Sequence, residues 1–125
     1  MARFVRIYYS NGNMQGSTYK INNINEGNAT IFHKNGNIET ICNVVYGKYN
    51  GEFKQYRNYD KNILEFKCIF INDRINGEYY KYDSSGIITS KTNYLNDKKH
   101  GDETFYDKNG NITRIIKYID DVQQK

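Results

Sequence analysis

The sequence predicts an all-β protein, an elongated antiparallel meander of about five β-hairpin repeats. Glycines recur at a period of about 24 residues, apolar and polar residues alternate after them, and pairs of Asn, Asp or Gly separate the alternating runs. A fixed period of this length is typical of a repeat array, in which each repeat packs only on its neighbours. We therefore expect residues 1–125 to form a single β-hairpin repeat domain.

One series of backbone-permissive residues predicts chain reversals along one side of the sheet. Its members are 24, 26, 24 and 24 residues apart, because the second repeat has two extra residues. Asn62 replaces glycine in that repeat, and asparagine is the next residue most tolerant of a positive φ. The series consists of Gly12, Gly36, Asn62, Gly86 and Gly110.

A second glycine series opens each repeat and is also predicted to consist of turn residues. No helical period follows these glycines, so a turn is favoured over a phosphate-binding loop. The series consists of Gly27, Gly51, Gly77 and Gly101. It divides the chain into expected repeats at residues 3–26, 27–50, 51–76, 77–100 and 101–121.

Each repeat is expected to contain two strands. An alternating run follows each residue of the first series, as in Ile88, Ser90, Thr92 and Tyr94, and period-two alternation indicates a strand with one buried side. Two-residue polar turns end these runs, and such pairs are typical of tight hairpins. The turns are Asn22-Asn23, Tyr46-Gly47, Asn72-Asp73, Asn96-Asp97 and Asp120-Asp121. Five periods give roughly ten strands, about 4.8 Å apart.

An aromatic residue stands five positions after each opening glycine, and this row has two interpretations. It either packs the sheet repeat on repeat, or it is an exposed row that stacks on a partner. Tyr79, two positions after Gly77, is added to the second interpretation. The candidate partner-binding residues are Tyr8, Phe32, Tyr56, Tyr79, Tyr82 and Tyr106.

The pattern Gly-x4-aromatic-x3-Gly-x-aliphatic, then an aromatic, a polar turn and another Gly, resembles the MORN repeat (membrane occupation and recognition nexus). The variant class of bacterial and large-viral proteins fits best, over residues from about Phe4 to Asp121. The resemblance implies a twisted hairpin sheet that acts as a scaffold or recognition module. Some bacterial members of this family are antitoxins, and some eukaryotic members associate with membrane lipids. The resemblance therefore also implies these two functions as possibilities for this chain. The chain departs from the better-known form by lacking Trp and by the insertion at Asn62.

The residues that carry chemistry do not form a catalytic or metal-binding set. Cys42 and Cys68 share one offset, so they are expected about 9.6 Å apart, beyond the roughly 7 Å limit for a disulfide. We expect both to be small apolar residues on the buried face. His33 and His100 fall in predicted turns, and His33 lies on the order of 15 Å from Cys42 by strand rise. The prediction is therefore no enzyme, no cofactor and no metal.

The charge pattern and the absence of long apolar runs restrict the partners. The net charge is +4, but the signs alternate along the chain, so no DNA partner is expected. No apolar run has signal-peptide or membrane-spanning length, which predicts a cytoplasmic protein, alone or within a larger intracellular or viral assembly. Charges on the edge strands, such as Arg3 and Arg6, favour a monomer or a small closed oligomer.

The main functional hypothesis is a non-enzymatic scaffold for protein–protein interaction. One alternative is a binder of acidic phospholipid headgroups or RNA, motivated by the excess of Lys and Arg interleaved with Tyr. Another is an antitoxin or inhibitor of a partner protein, which the resemblance alone implies.

Overall fold

A computed structural model describes residues 2–125 as one sheet of twelve antiparallel strands, and no helix occurs among these residues. The strands are β1 (Arg3–Tyr8), β2 (Met14–Ile21), β3 (Ile24–Phe32), β4 (Ile38–Val45), β5 (Lys48–Tyr56), β6 (Leu64–Ile71), β7 (Arg74–Ile75), β8 (Gly77–Tyr82), β9 (Ile88–Leu95), β10 (Lys98–Tyr106), β11 (Ile112–Ile119) and β12 (Val122–Gln123). Neighbours along the chain are neighbours in the sheet, so the predicted all-β meander is confirmed. The count exceeds ten because Asn76 interrupts one strand into β7 and β8, and because β12 follows the last turn.

Two-residue turns connect the strands at one end of the sheet, at all five predicted positions. Both residues of each turn have a positive φ, for example 48° at Asn96 and 70° at Asp97. This conformation matches the right-handed twist of the two flanking strands, and Asn, Asp and Gly adopt it at low cost. Tyr46 (φ 50°) is the one bulky residue in these turns.

Longer loops reverse the chain at the other end of the strands, and the first series of predicted turn residues lies in them. The four glycines have a positive φ, and each donates its N–H to the carbonyl three residues earlier, as Gly86 does to Asp83 (3.0 Å). Asn62 lies in its loop, but its φ is not positive, which corrects the backbone role predicted for it. The two extra residues allow Arg57 N to reach Ile63 O (2.9 Å) without any left-handed residue between them.

The second glycine series does not lie in turns, and this part of the prediction is wrong. Gly27, Gly51 and Gly101 are inside strands, and Gly77 begins β8. All four have a positive φ. At Gly101 the register with β9 shifts between Lys99 and Glu103, so a bulge of three residues opposes Asn93 alone. A bulge with a positive φ favours glycine for the same reason that a turn does, so the two give the same sequence signal.

Burial is concentrated on one face of the sheet, which we call the front face. Directly opposed residues of neighbouring strands share a face, and the register places eight buried residues together here. They are Thr40, Cys42, Val44, Cys68, Ser90, Thr92, Glu103 and Ile116. The other side, the back face, buries Thr104. No second layer covers either face within residues 2–125.

Successive hairpins are also joined by a reciprocal pair of hydrogen bonds, which we call the turn clasp. Asp97 N donates to Ile75 O (2.9 Å), while Ile75 N donates to Asp97 Oδ1 (2.7 Å). The same exchange joins Asp73 to Tyr49 and Asp121 to Lys99. At Gly47, which has no side chain, only the backbone bond to Asn25 O remains (3.0 Å). The second turn residue therefore sets the spacing of repeats as well as reversing the chain.

Candidate functional site

Six aromatic rings form a continuous cluster across the middle of the front face. Phe53 stacks on Phe66 with ring centroids 6.0 Å apart, and Phe66 stacks on Tyr79 at 5.1 Å. Tyr94 extends the row beyond Tyr79 at 5.7 Å. These separations are within the range of favourable aromatic pairs. The aromatic cluster consists of Tyr49, Phe53, Phe66, Phe70, Tyr79 and Tyr94.

Small side chains beside the rings make room for this cluster. Cys42, Phe53 and Cys68 are directly opposed on β4, β5 and β6, so one ring lies between two thiols. Both cysteines are free and buried, as predicted, with exposed fractions of 4% and 3%. Burial raises the pKa of both thiols, that of Cys68 to about 12. Buried, neutral thiols of this kind pack as small apolar side chains.

The rings of the aromatic cluster are only partly buried. Tyr49 is 37% exposed, and the other five are half-buried. Burial raises the pKa of Tyr79 to about 12 and also raises that of Tyr94, so both hydroxyls stay protonated at neutral pH. The cluster thus offers flat apolar surfaces together with hydroxyl groups able to donate hydrogen bonds.

An apolar recess of about 250 Å³ adjoins Tyr49 toward the N-terminal end of the front face. It exists because Gly16 and Ala29 carry little or no side chain where neighbouring strands carry larger ones. Its other apolar walls are Val5, Ile7, Ile31 and Val44. The aromatic cluster and this recess form one continuous surface, because both include Tyr49.

A buried charged residue, Glu103, lies on the front face beyond Tyr94. Glu103 is buried and accepts hydrogen bonds from Thr92 Oγ1 (2.8 Å) and Lys99 Nζ (3.2 Å). Burial opposes its ionisation, but these hydrogen bonds and the charge of Lys99 prevail and lower its pKa. Lys99 also lies over the ring of Tyr118, 4.9 Å from its centroid. The ion pair of Glu103 and Lys99 borders the aromatic cluster on its C-terminal side.

The aromatic row predicted from the sequence lies elsewhere, at the ends of its strands. Each of its members faces an apolar residue of the next strand across a register shift, as Tyr82 faces Ile88. Tyr8 is 57% exposed, and the other four are half-buried. The five residues are Tyr8, Phe32, Tyr56, Tyr82 and Tyr106. No ring–ring contact within residues 2–125 joins two of them, so they do not stack repeat on repeat.

Tyr79 alone belongs both to the predicted candidates and to the aromatic cluster. The other cluster residues come from four positions of the repeat that carry aromatics in only some repeats, represented by Tyr49, Phe53, Phe66 and Phe70. These positions converge because strand pairing places them diagonally opposite each other. Comparing residues across paired strands, and not along one offset of the repeat, would have found them.

The histidines pair with carboxylates outside the front-face cluster. His33 Nδ1 lies 3.4 Å from Glu39 Oε2, and His100 Nδ1 lies 3.7 Å from Asp120 Oδ1. Within residues 2–125, no three His, Cys, Asp or Glu side chains are arranged to hold a metal ion. The same residues include no helix long and apolar enough to span a membrane.

Comparison with known proteins agrees with this hairpin architecture. The family model described as the MORN repeat variant matches residues 25–45, 75–96 and 99–120, which together make up just over half of the chain. Each matched segment covers two long strands and the longer loop between them, and ends at or beside a two-residue turn. No curated protein matches the chain. The length of the family match, together with the single meander of hairpins, shows that the chain belongs to the MORN repeat variant family.

Proposed function

We propose that the protein is a non-enzymatic scaffold that binds another protein through its front face. The observation that carries this proposal is the six-ring aromatic cluster, half-buried on a sheet face that no second layer covers within residues 2–125. Tyrosine and phenylalanine are enriched in the cores of protein interfaces because they bury a large area with little loss of conformational freedom. A partner would complete the burial that the single layer leaves unfinished.

The recess beside Tyr49 provides a place for an anchoring side chain. Binding energy in protein interfaces is concentrated where a large side chain fills a desolvated pocket. A cavity of about 250 Å³ with walls such as Ile7 and Val44 suits an aliphatic or aromatic side chain of the partner. The neighbouring rings would then cover the flanking residues of the same segment.

The chemistry of the front face supports binding and not catalysis. Its thiols are held in the neutral form by burial, and its buried carboxylate, Glu103, is engaged by Thr92 and Lys99. Among the described residues of this face, no acid, base and nucleophile converge on a common point. If the front face covers a surface that the partner uses for its own contacts, the module would also inhibit that partner.

Affinity capture with matched variants tests the proposal. The double variant Tyr49→Ala/Tyr79→Ala removes two rings of the aromatic cluster, and Tyr46→Ala/Tyr59→Ala removes two exposed tyrosines outside it. In extracts of the native source, we expect mass spectrometry to identify proteins that wild type and the control retain and that the front-face variant loses. Equal recovery on all three would contradict the proposal.

The β-sheet signal in circular dichroism serves as the second readout. We expect the front-face variant to keep the wild-type spectrum, because neither ring is fully buried. If Tyr49→Ala/Tyr79→Ala abolishes that signal, the rings are structural and the binding assignment is wrong.

A further inference from the structure

The back face carries a row of three lysines and one tyrosine, which we call the basic row. Register pairs connect Lys54 to Lys67, Lys67 to Tyr80, and Tyr80 to Lys91, so the four residues cross β5, β6, β8 and β9 in a line. Each lies directly behind the front face, because sequence neighbours such as Phe66 and Lys67 point to opposite sides of a strand. The two faces of the same strands are thus aromatic in front and basic behind.

The charges of the three lysines in this row are not neutralised by the sheet. Lys54 and Lys67 are directly opposed, and like charges in that position are destabilising. Within residues 2–125, none of the three lysines has a carboxylate within ion-pair distance. Lys67 Nζ instead lies 5.0 Å from the centroid of the Tyr80 ring. An unfavourable arrangement that folding does not require is typical of a functional surface.

Acidic residues on the back face form a second row beside the first. Glu52, Glu78 and Asp102 stand two positions from Lys54, Tyr80 and Thr104 along their strands, about 7 Å away by strand rise. Glu78 accepts a hydrogen bond from the Tyr80 hydroxyl. This row, in which Asp102 is directly opposed by Lys117, bounds the basic row on one side. The basic surface is therefore narrow and fits a single anionic chain better than a broad polyanion such as a nucleic-acid backbone or a charged membrane surface.

We propose that the basic row binds an acidic peptide segment of a partner protein. Alternate side chains of an extended peptide point the same way, about 6.6 Å apart, and lysines on flexible stems can adjust to carboxylates at that spacing. Charge complementarity with Lys54, Lys67 and Lys91 selects the acidic segment, and the single Tyr80 ring packs against its aliphatic atoms. This site is separate from the front-face surface and does not depend on it.

Fluorescence anisotropy with a fluorescein-labelled hexaglutamate peptide tests the assignment at low ionic strength. The variant Lys54→Gln/Lys67→Gln removes two charges from the row, and Lys48→Gln/Lys108→Gln removes two exposed charges elsewhere. We expect the row variant to weaken binding by about fivefold to tenfold, as two partly exposed charge contacts allow. The control should stay within about twofold, and added salt should weaken wild-type binding. Equal affinities of the two variants would overturn the basic row as the site.

Two further probes decide the kind of partner. A uridine decamer and phosphatidylcholine vesicles containing phosphatidylserine are measured with the same variants. We expect both to bind more weakly than hexaglutamate, because the row at Glu52, Glu78 and Asp102 keeps the basic surface narrow. Tighter binding of either, lost in the Lys54→Gln/Lys67→Gln variant, would overturn the acidic-peptide assignment.

Folding and the front face supply the remaining controls. The row variant should melt at or above the wild-type temperature, because the repulsion between Lys54 and Lys67 is gone. If Lys54→Gln/Lys67→Gln fails to fold, the single variant Lys91→Gln tests the same row. It should bind hexaglutamate more weakly than wild type, by a smaller factor. An affinity of Lys91→Gln equal to that of wild type would overturn the proposal. Tyr49→Ala/Tyr79→Ala should bind hexaglutamate as tightly as wild type does. This result would show that the basic row is independent of the binding surface proposed on the front face.

Discussion

Glu103 is the buried carboxylate of the front face, beside the C-terminal end of the aromatic cluster. The residue is 8% exposed, and its carboxylate accepts hydrogen bonds from Thr92 and Lys99. Burial alone would favour the neutral acid, yet the hydrogen bonds and the lysine charge lower its pKa below the ordinary value of 4.5. A buried carboxylate with these partners stabilises the folded state only while it is ionised.

The contribution of Glu103 to the free energy of unfolding should therefore change with pH. At pH 7 we expect Glu103→Gln to lower the free energy of unfolding by about 1.5–3 kcal/mol, the range for a hydrogen bond to a charged group. Because the folded-state pKa is depressed, the wild-type advantage is complete above the unfolded value of 4.5 and is lost as the pH falls through the folded value.

Urea denaturation of wild type and Glu103→Gln between pH 3 and pH 7 measures this difference. The two curves should converge at the acidic end. A stability difference that stays constant over the whole range would show that Glu103 contributes through packing and not through its charge.

The turn clasp is the feature of the hairpin that joins one repeat to the next. Asp97→Gly should keep the left-handed turn (φ 70° at Asp97) but lose the acceptor for Ile75 N, 2.7 Å away in the wild type. We expect a loss of about 1 kcal/mol in the free energy of unfolding, typical of one hydrogen bond. Asp97→Asn is the matched control, because its side-chain oxygen still accepts. Equal thermal stability of the Gly and Asn variants would show that the clasp contributes nothing.

The hairpin elements were largely predictable because their turn chemistry is local. Pairs such as Asn96-Asp97 identify a tight reversal wherever they separate two alternating runs, and the structure has a turn at each predicted pair. The bulge at Gly101 was not predictable in the same way, because a positive φ is needed equally in a turn and in a bulge. Asn62 misled the prediction because a longer loop removes the need for a left-handed residue.

The candidate site depends on contacts between strands, which one offset of the repeat does not reveal. Tyr82 and its equivalents recur at a constant position, yet they lie at strand ends and do not touch one another. Phe66 and Tyr79 stand at different offsets and are brought into contact by pairing of β6 with β8. The same register brings Lys54 beside Lys67 on the back face. Both surfaces became visible only once the register was known.

At the scale of the whole molecule, the single sheet distributes stability unevenly along its length. Each strand pairs only with its immediate neighbours in the sheet, and the buried residues from Thr40 to Ile116 belong to β4, β6, β9, β10 and β11. β1 has one neighbour and no buried residue, and β12 consists of two exposed residues. In such a linear array, the free energy of local opening falls toward the edges.

We therefore predict a gradient of amide hydrogen exchange along the array. Hydrogen-bonded amides of β4, β5 and β9 should exchange about tenfold or more slowly than those of β1, because opening the interior breaks two strand interfaces and separates the aromatic cluster. Exchange followed by mass spectrometry of peptides from each strand measures the gradient. Uniform protection from β1 to β11 would instead indicate all-or-none opening, in which the edge is as firmly held as the interior. The gradient also bears on binding. A partner on the front face should slow exchange most in β5 to β9, where the aromatic rings lie. An acidic peptide on the basic row should slow exchange in the same strands, because it covers their back face.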